Sequence, residues 1–276
     1  VSSAASDVYK RQDYNNCLYL KEDAGKMLVG IFEPNAKPAF KDTGIVPENF
    51  SFGELPDDFD HFEPYLKKSF HRLPMLENAG IRKFFSGPES FTPDTQYLLG
   101  ETPEIKNFFT CCGFNSIGIA SSGGAGRVTA EWMINGHINE DLFSVDIKRF
   151  QQFHSSKKFI MERVTETLGD LYGMHWPYKQ HKTSRNQITL PYHEELKKLG
   201  ACFGSSGGFE RPMWYSLNGA KAEYEYSFGY QNWYPSAEYE TKNTRKNVGL
   251  FELTPFSKFD VAGENVHDEL QKLCTA

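Results

Sequence analysis

Phe108-Phe109-Thr110-Cys111-Cys112, Gly113-Phe114-Asn115-Ser116-Ile117-Gly118, Gly123-Gly124-Ala125-Gly126 and then Arg127 through Gly136 form the stretch around which the chain is organised. The apolar run reads as a strand, the glycines as a turn and loop, and the remainder as a helix. Ala125, Val128, Trp132 and Met133 recur at helical spacing, with Ser121 or Ser122 available as N-cap and Gly136 as stop. A loop that delivers backbone N–H groups to a helix N-terminus suits a negative charge, because the unpaired amides and the helix dipole both point at it.

Bulk properties narrow the possibilities. At 276 residues the chain has room for two modest domains, and 39% hydrophobic with 15% aromatic residues is ample for a packed core. A net charge of -6 with scattered basic residues argues against a nucleic-acid surface, which needs clustered Lys and Arg. Cys17, Cys111, Cys112, Cys202 and Cys274 show no C-x-x-C spacing and are expected to be reduced thiols of an intracellular protein. No apolar run approaches the roughly 20 residues of a membrane helix, so a soluble protein is expected. The histidines His175, His181 and His193 lack metal-ligand spacing, and no metal site is expected.

Outward from the central stretch, Val1 to Gln12 is expected to be a foreign or disordered leader. Cys17 to Leu20 and Met27 to Phe32 predict a hairpin around Asp23-Ala24-Gly25. A long loop follows to Pro56, then an amphipathic helix over Asp57 to Leu76, and strands at Ile81 to Ser86 and Gln96 to Gly100. Asp141 to Asp146 reads as extended, and Ile147 to Tyr172 as one long helix with Phe150, Phe153, Phe159, Val164, Leu168 and Tyr172 as its buried stripe. A short helix at Tyr192 to Leu199 leads to Gly200 through Gly208, a flexible joint by composition. Beyond it lie strand-like aromatic pieces, a polar helix over Glu238 to Val248, alternating strands over Gly249 to Val261, and helical spacing from Asn265 that stops without a cap, as in a fragment of a longer protein.

Gly124-Ala125-Gly126 with Asp146 about 20 residues on half matches a dinucleotide fingerprint, but Thr129 stands where the third glycine belongs. Glycines that merely let a helix pack closely would look the same. The residues alone leave both readings open.

Gly87-Pro88-Glu89-Ser90-Phe91-Thr92-Pro93-Asp94, Gly113-Phe114-Asn115-Ser116-Ile117-Gly118, Gly123-Gly124-Ala125-Gly126-Arg127 and Ala130-Glu131-Trp132 resemble the C-terminal half of the flavin domain in dimethylglycine and sarcosine dehydrogenases. Asp146-Ile147-Lys148-Arg149-Phe150 resembles the opening of that family's central domain. Phe209-Glu210-Arg211-Pro212, Asn247-Val248-Gly249-Leu250-Phe251 and Phe256-Ser257-Lys258-Phe259 resemble its folate-binding aminomethyltransferase-like domain. The resemblance runs from about Tyr14 to the end, but the family's upstream G-x-G-x-x-G half and most of the folate site are absent.

The resemblance implies an α+β chain: the C-terminal part of a D-amino-acid-oxidase-like FAD domain with an antiparallel sheet over 13–146, a small central domain over 147–204, and the truncated start of the folate domain over 205–276. It implies FAD as cofactor and, in the intact parent, tetrahydrofolate. Gly113, Phe114, Asn115, Ser116, Ile117, Gly118, Ile119 and Ala120 are then expected beside the isoalloxazine ring, with Glu89 on its substrate side as the catalytic candidate and Thr92-Pro93-Asp94 fixing a turn. The implied parent demethylates a small N-methylated amino acid, in a bacterial cytoplasm or a mitochondrial matrix, with the electron acceptor open; the fragment alone is expected to be inactive. The resemblance extends to the regulatory subunit of pyruvate dehydrogenase phosphatase, which makes a non-catalytic regulatory protein the alternative. A free-standing aminomethyltransferase ranks last, since it gives Phe108 to Gly136 no role.

Overall fold

The computed structural model describes residues 10–274, which divide into two compact units. The first runs through His175 and includes His181–Ser184; the second comprises Trp176–Gln180 and the chain from Arg185. Helices combine with antiparallel and mixed sheets, the α+β class expected.

In the first unit β1 (Lys10–Asp13), β2 (Leu18–Asp23) and β3 (Lys26–Ile31) form an antiparallel meander. The predicted hairpin is β2–β3, in register from Leu18 opposite Ile31 to Asp23 opposite Lys26. Its two-residue turn needs positive φ at both positions, supplied by Ala24 and Gly25. Leu18 and Leu20 point inward at the strand period of two. The leader expectation is corrected for Lys10, Arg11 and Gln12: they belong to β1, and Gln12 Nε2 donates to the Tyr172 hydroxyl at 3.1 Å. The rest of that segment lies outside the described residues.

Helix α1 (Phe59–Arg72) occupies the predicted amphipathic segment. Asp58 caps it by accepting from His61 N, and His71 and Arg72 lie at its negative end. The strand expected at Ile81 to Ser86 is not formed. Only Ser86 bridges, to Leu55, while Phe84 packs against Phe59 and Phe62 of α1, so ring contacts fix this segment rather than a ladder.

The central stretch folds as β5 (Phe109–Cys112) paired antiparallel with β4 (Leu98–Glu101), followed by α2 (Gly118–Asn135). Gly136 terminates α2 in the left-handed conformation, as predicted. The start is corrected. The helix begins at Gly118, so Ser121, Ser122 and the glycines lie within it, and neither serine is its N-cap. Ala125, Val128 and Trp132 enter a core with Leu99 and Val145, ringed by Phe109, Phe114 and Leu142. Met133, expected on that face, is exposed.

Downstream, Asp141 to Asp146 forms turns, with one bridge from Asp146 to Leu99. The single long helix expected over Ile147 to Tyr172 is three pieces: 3-10 turns at Ile147–Arg149 and Gln152–Ser155, then α3 (Lys157–Asp170). Extended backbone at Phe150, Gln151 and Ser156 separates them. Phe159 and Tyr172 of the predicted stripe are buried, but α3 also buries Arg163 and Thr167.

The second unit contains β6 (Ile188–Thr189), α4 (His193–Lys198), β7 (Ala201–Ser206), β8 (Phe209–Tyr215), α5 (Tyr234–Lys246) and α6 (Val266–Leu273). Its sheet has the order β6-β8-β7, parallel then antiparallel. The flexible joint is therefore corrected: Ala201–Ser206 is a paired strand, and Gly207-Gly208, both at positive φ, make the hairpin turn. Alternating strands over Gly249 to Val261 are also not found among the described residues. Leu250 and Phe259 there are largely exposed, and no neighbouring strand offers a ladder.

Glu210 on β8 is 1% exposed and ion-paired to Arg185. It accepts from Arg185 Nε at 2.7 Å, from Arg185 Nη2, and from Asn186 N at 2.9 Å. Burial raises its carboxyl pKa, but the bonds from Arg185 and Asn186 outweigh that and hold it below the ordinary value.

Candidate functional site

The turn between β5 and α2 carries most of the residues expected to approach a cofactor. Gly113, Asn115 and Ser116 all have positive φ, and this sharp reversal starts α2 at Gly118. Asn115 is 3% exposed and is hydrogen-bonded at its backbone N and at both polar atoms of its side chain. Its N donates to Ser90 O at 3.1 Å, its Nδ2 to Gly113 O at 2.7 Å, and its Oδ1 accepts from Thr92 N at 2.8 Å. Phe114 stacks on Tyr97 with ring centroids 4.9 Å apart.

Glu89 is brought to the same place. Its Oε1 accepts from Ser116 Oγ at 2.8 Å, so the Gly87–Asp94 loop and the Gly113–Gly118 turn are joined at both Glu89–Ser116 and Thr92–Asn115. These segments are separated in sequence by β4 and β5, and only their pairing makes them one surface.

The N-terminus of α2 opens on this surface. The first N–H groups of an α-helix lack intrahelical acceptors, and Ile117, its N-cap residue, supplies no side-chain hydrogen bond. Gly118, Ile119 and Ala120 therefore present a donor set suited to a negative or carbonyl-rich edge. Gly118 adds no side chain there, and a Cβ built on it would meet Phe114 Cβ at 3.4 Å, an ordinary contact. Along one flank of α2, an apolar groove of about 290 Å³ runs between Tyr97, Leu99 and Leu142 and the helix residues Ala120, Gly124 and Val128. It contains no charged group and is at the small end of ligand sites.

Asp146 has no place in this site. Its Oδ1 accepts from Lys148 N at 2.8 Å and caps the following 3-10 turn, which removes the ribose-binding reading. Gly124 and Gly126 lie inside α2 rather than at its entry, so the fingerprint fails on geometry as well as on Thr129, whose hydroxyl bonds back to Ala125 O at 2.7 Å.

Sequence spacing missed two groupings. Arg149 grips Asp94 with Nε at 2.6 Å and Nη2 at 3.1 Å, so Asp94 anchors the Thr92 turn rather than merely closing it. A favourable Asp–Arg pair was not legible because its partners are 55 positions apart. In the second grouping, potential ligand atoms of Glu166, Asp170 and His181 lie within 4.8 Å of one another. Burial raises the pKa of Glu166, but donors from Thr183 and Lys182 more than offset it, so this carboxyl stays below its ordinary value. Those bonds tie α3 to the His181–Ser184 segment.

Three family models match in succession: the FAD dependent oxidoreductase domain over residues 3–132, the FAD dependent oxidoreductase central domain over 135–189, and the GCVT N-terminal domain over 192–276. The 4-methylaminobutanoate oxidase (formaldehyde-forming) of Paenarthrobacter nicotinovorans is 40% identical over 276 residues, covering 100% of this chain and 33% of that protein. The mitochondrial sarcosine dehydrogenase of Homo sapiens is 33% identical, covering 96% of this chain and 28% of the relative. The mitochondrial pyruvate dehydrogenase phosphatase regulatory subunit of Mus musculus is 32% identical, over 95% and 30% respectively. The chain thus spans about a third of the length of these curated relatives. No helix among the described residues is long and apolar enough to cross a membrane. From the uninterrupted order of the three matched domains and the alignment of nearly the whole chain with these relatives, the chain belongs to the FAD-dependent oxidoreductase family that includes the sarcosine dehydrogenases.

Proposed function

We propose that the chain is the part of an FAD-dependent amine oxidoreductase that closes over the flavin ring, in a longer protein that oxidatively demethylates a small N-methylated amino acid. The observation that carries this is the shared surface of Glu89, the Asn115–Ile117 turn and the uncapped N-terminus of α2. FAD, when bound, accepts the hydride from the amine carbon. Gly118, Ile119 and Ala120 would present their N–H groups to the ring edge where the resulting negative charge gathers, an effect of about 0.3–2 kcal/mol for a helix terminus. Glu89, held by Ser116, would meet the substrate ammonium or a water beside it.

The donor set and the absence of a side chain at Gly118 fit a flat carbonyl-bearing ring. Ile119 and Ile134 are both 82% exposed on α2, and a helix apolar on several faces is ordinarily a covered one, which supports further protein mass against it. The domain order is proposed as flavin domain, central domain and beginning of a folate domain, the last handing a one-carbon unit to tetrahydrofolate. A bacterial cytoplasm or mitochondrial matrix is the proposed setting.

The test joins this chain to the upstream half of the domain and measures flavin absorbance, then bleaching of that absorbance by sarcosine, dimethylglycine or 4-methylaminobutanoate without oxygen. Gly118→Val should lower flavin occupancy while Lys158→Ala leaves it unchanged; equal flavin in both would count against the assignment. The similarity to the phosphatase regulatory subunit favours a second reading, a regulatory protein of the same domain order. Absence of flavin colour in the joined protein would favour it over the enzyme.

A further inference from the structure

We infer that Asn115 is the positioning residue for the flavin-facing end of α2, and that Arg149, Asp94 and Thr92 form the strut that holds it; this rests on the flavin reading above. A helix terminus acts on a charge only through its last turn, so its aim matters as much as its presence. No side-chain cap fixes the start of α2. The backbone enters it through two consecutive non-glycine residues at positive φ, Asn115 at 49° and Ser116 at 67°. Such conformations persist only where the surroundings over-determine them.

The bonds that meet this requirement converge on Asn115. Its three polar groups tie the turn to Ser90, Thr92 and Gly113, with the bond to Thr92 buried. Thr92 is itself held: its hydroxyl lies 2.8 Å from Gln96 O and 3.1 Å from Asp94 Oδ1, and its carbonyl accepts from Thr167 Oγ1 of α3 at 3.4 Å. Arg149 then closes the strut, binding both Asp94 oxygens, Gln96 O at 2.7 Å and Asp146 O at 3.0 Å, with its side chain only 9% exposed. The direction of α2 is thus set from the Ile147–Arg149 turn, outside the residues expected to touch the ring.

The experiment uses the joined, flavin-bearing protein with Asn115→Gly, Thr92→Val, Arg149→Met and Lys158→Ala as control. Glycine accepts φ near +49° without strain, so Asn115→Gly removes only the side-chain bonds. Flavin content and KM should stay near wild type, while anaerobic flavin reduction by substrate slows roughly tenfold and the midpoint potential falls. Thr92→Val and Arg149→Met should shift both readouts the same way by less, and they carry the test if Asn115→Gly does not fold. Unchanged reduction rate and potential in flavin-loaded variants would overturn the inference and leave the flavin reading standing, as would a change confined to KM. A wild-type protein without flavin would overturn both.

Discussion

Replacing Glu210 by Gln tests whether the second unit is held by a buried ion pair. The substitution keeps the shape but removes the charge that neutralises Arg185. It also places an amide NH₂ where a carboxylate oxygen met either Asn186 N or the guanidinium, so one donor must face another. Removing one partner of a buried pair typically costs about 3–5 kcal/mol. Arg185 retains the Phe203 carbonyl at 3.1 Å and its side chain is 25% exposed, so water relieves part of the loss. The expected cost is therefore about 2–3 kcal/mol. Urea unfolding followed by tryptophan fluorescence is the assay, with Trp214, buried on the same strand, as the local reporter. Because the Glu210 pKa is lowered by folding, its stabilisation is present above the unfolded glutamate pKa and lost as pH falls through the folded value. Wild type and Glu210→Gln should therefore converge in acid. A difference below about 0.5 kcal/mol at neutral pH, or one that persists undiminished in acid, would refute the reasoning.

Two further outcomes follow from packing. Gly100→Ala should destabilise the first unit by about 2 kcal/mol or more, measurable by thermal unfolding, because Gly100 has φ +106° and a Cβ would lie 2.7 Å from Trp132 Cζ3. Burial pushes the Cys202 thiol up to about 11, so iodoacetamide at pH 8 should label the exposed Cys111, Cys112 and Cys274 well before it, as read by peptide mass mapping; prompt labelling of Cys202 in the folded chain would contradict the burial.

The hairpin at Leu18–Ile31, the helix at Phe59–Arg72 and the stop at Gly136 were legible because each is decided by nearby residues: two apolar runs around a turn at Ala24-Gly25, apolar residues at helical spacing, a glycine free to take positive φ. Local signals misled where a local pattern had no tertiary partner. Ile81–Ser86 and Gly249–Val261 carry apolar residues that read as strands, but a strand needs another strand to receive its hydrogen bonds. Conversely Gly200–Gly208 reads as a joint, yet β8 supplies the ladder that makes it a strand and turn. Composition hid the break in Ile147–Tyr172, where Phe150, Gln151 and Ser156 take extended backbone that no apolar period records.

For the candidate site, the sequence by itself put forward Glu89 and Gly113–Ala120, through the family resemblance of the motifs that carry them. Only the tertiary structure decided that they share one surface, since the β4–β5 pair folds Glu89 back onto Ser116 and Thr92 onto Asn115. The physical reason is range. Propensity, capping and glycine conformations act over a few residues and are written in the local sequence, whereas the bonds of Asn115 to Thr92 and of Arg149 to Asp94 join segments 23 and 55 positions apart and exist only once the core around Leu99 and Trp132 has closed.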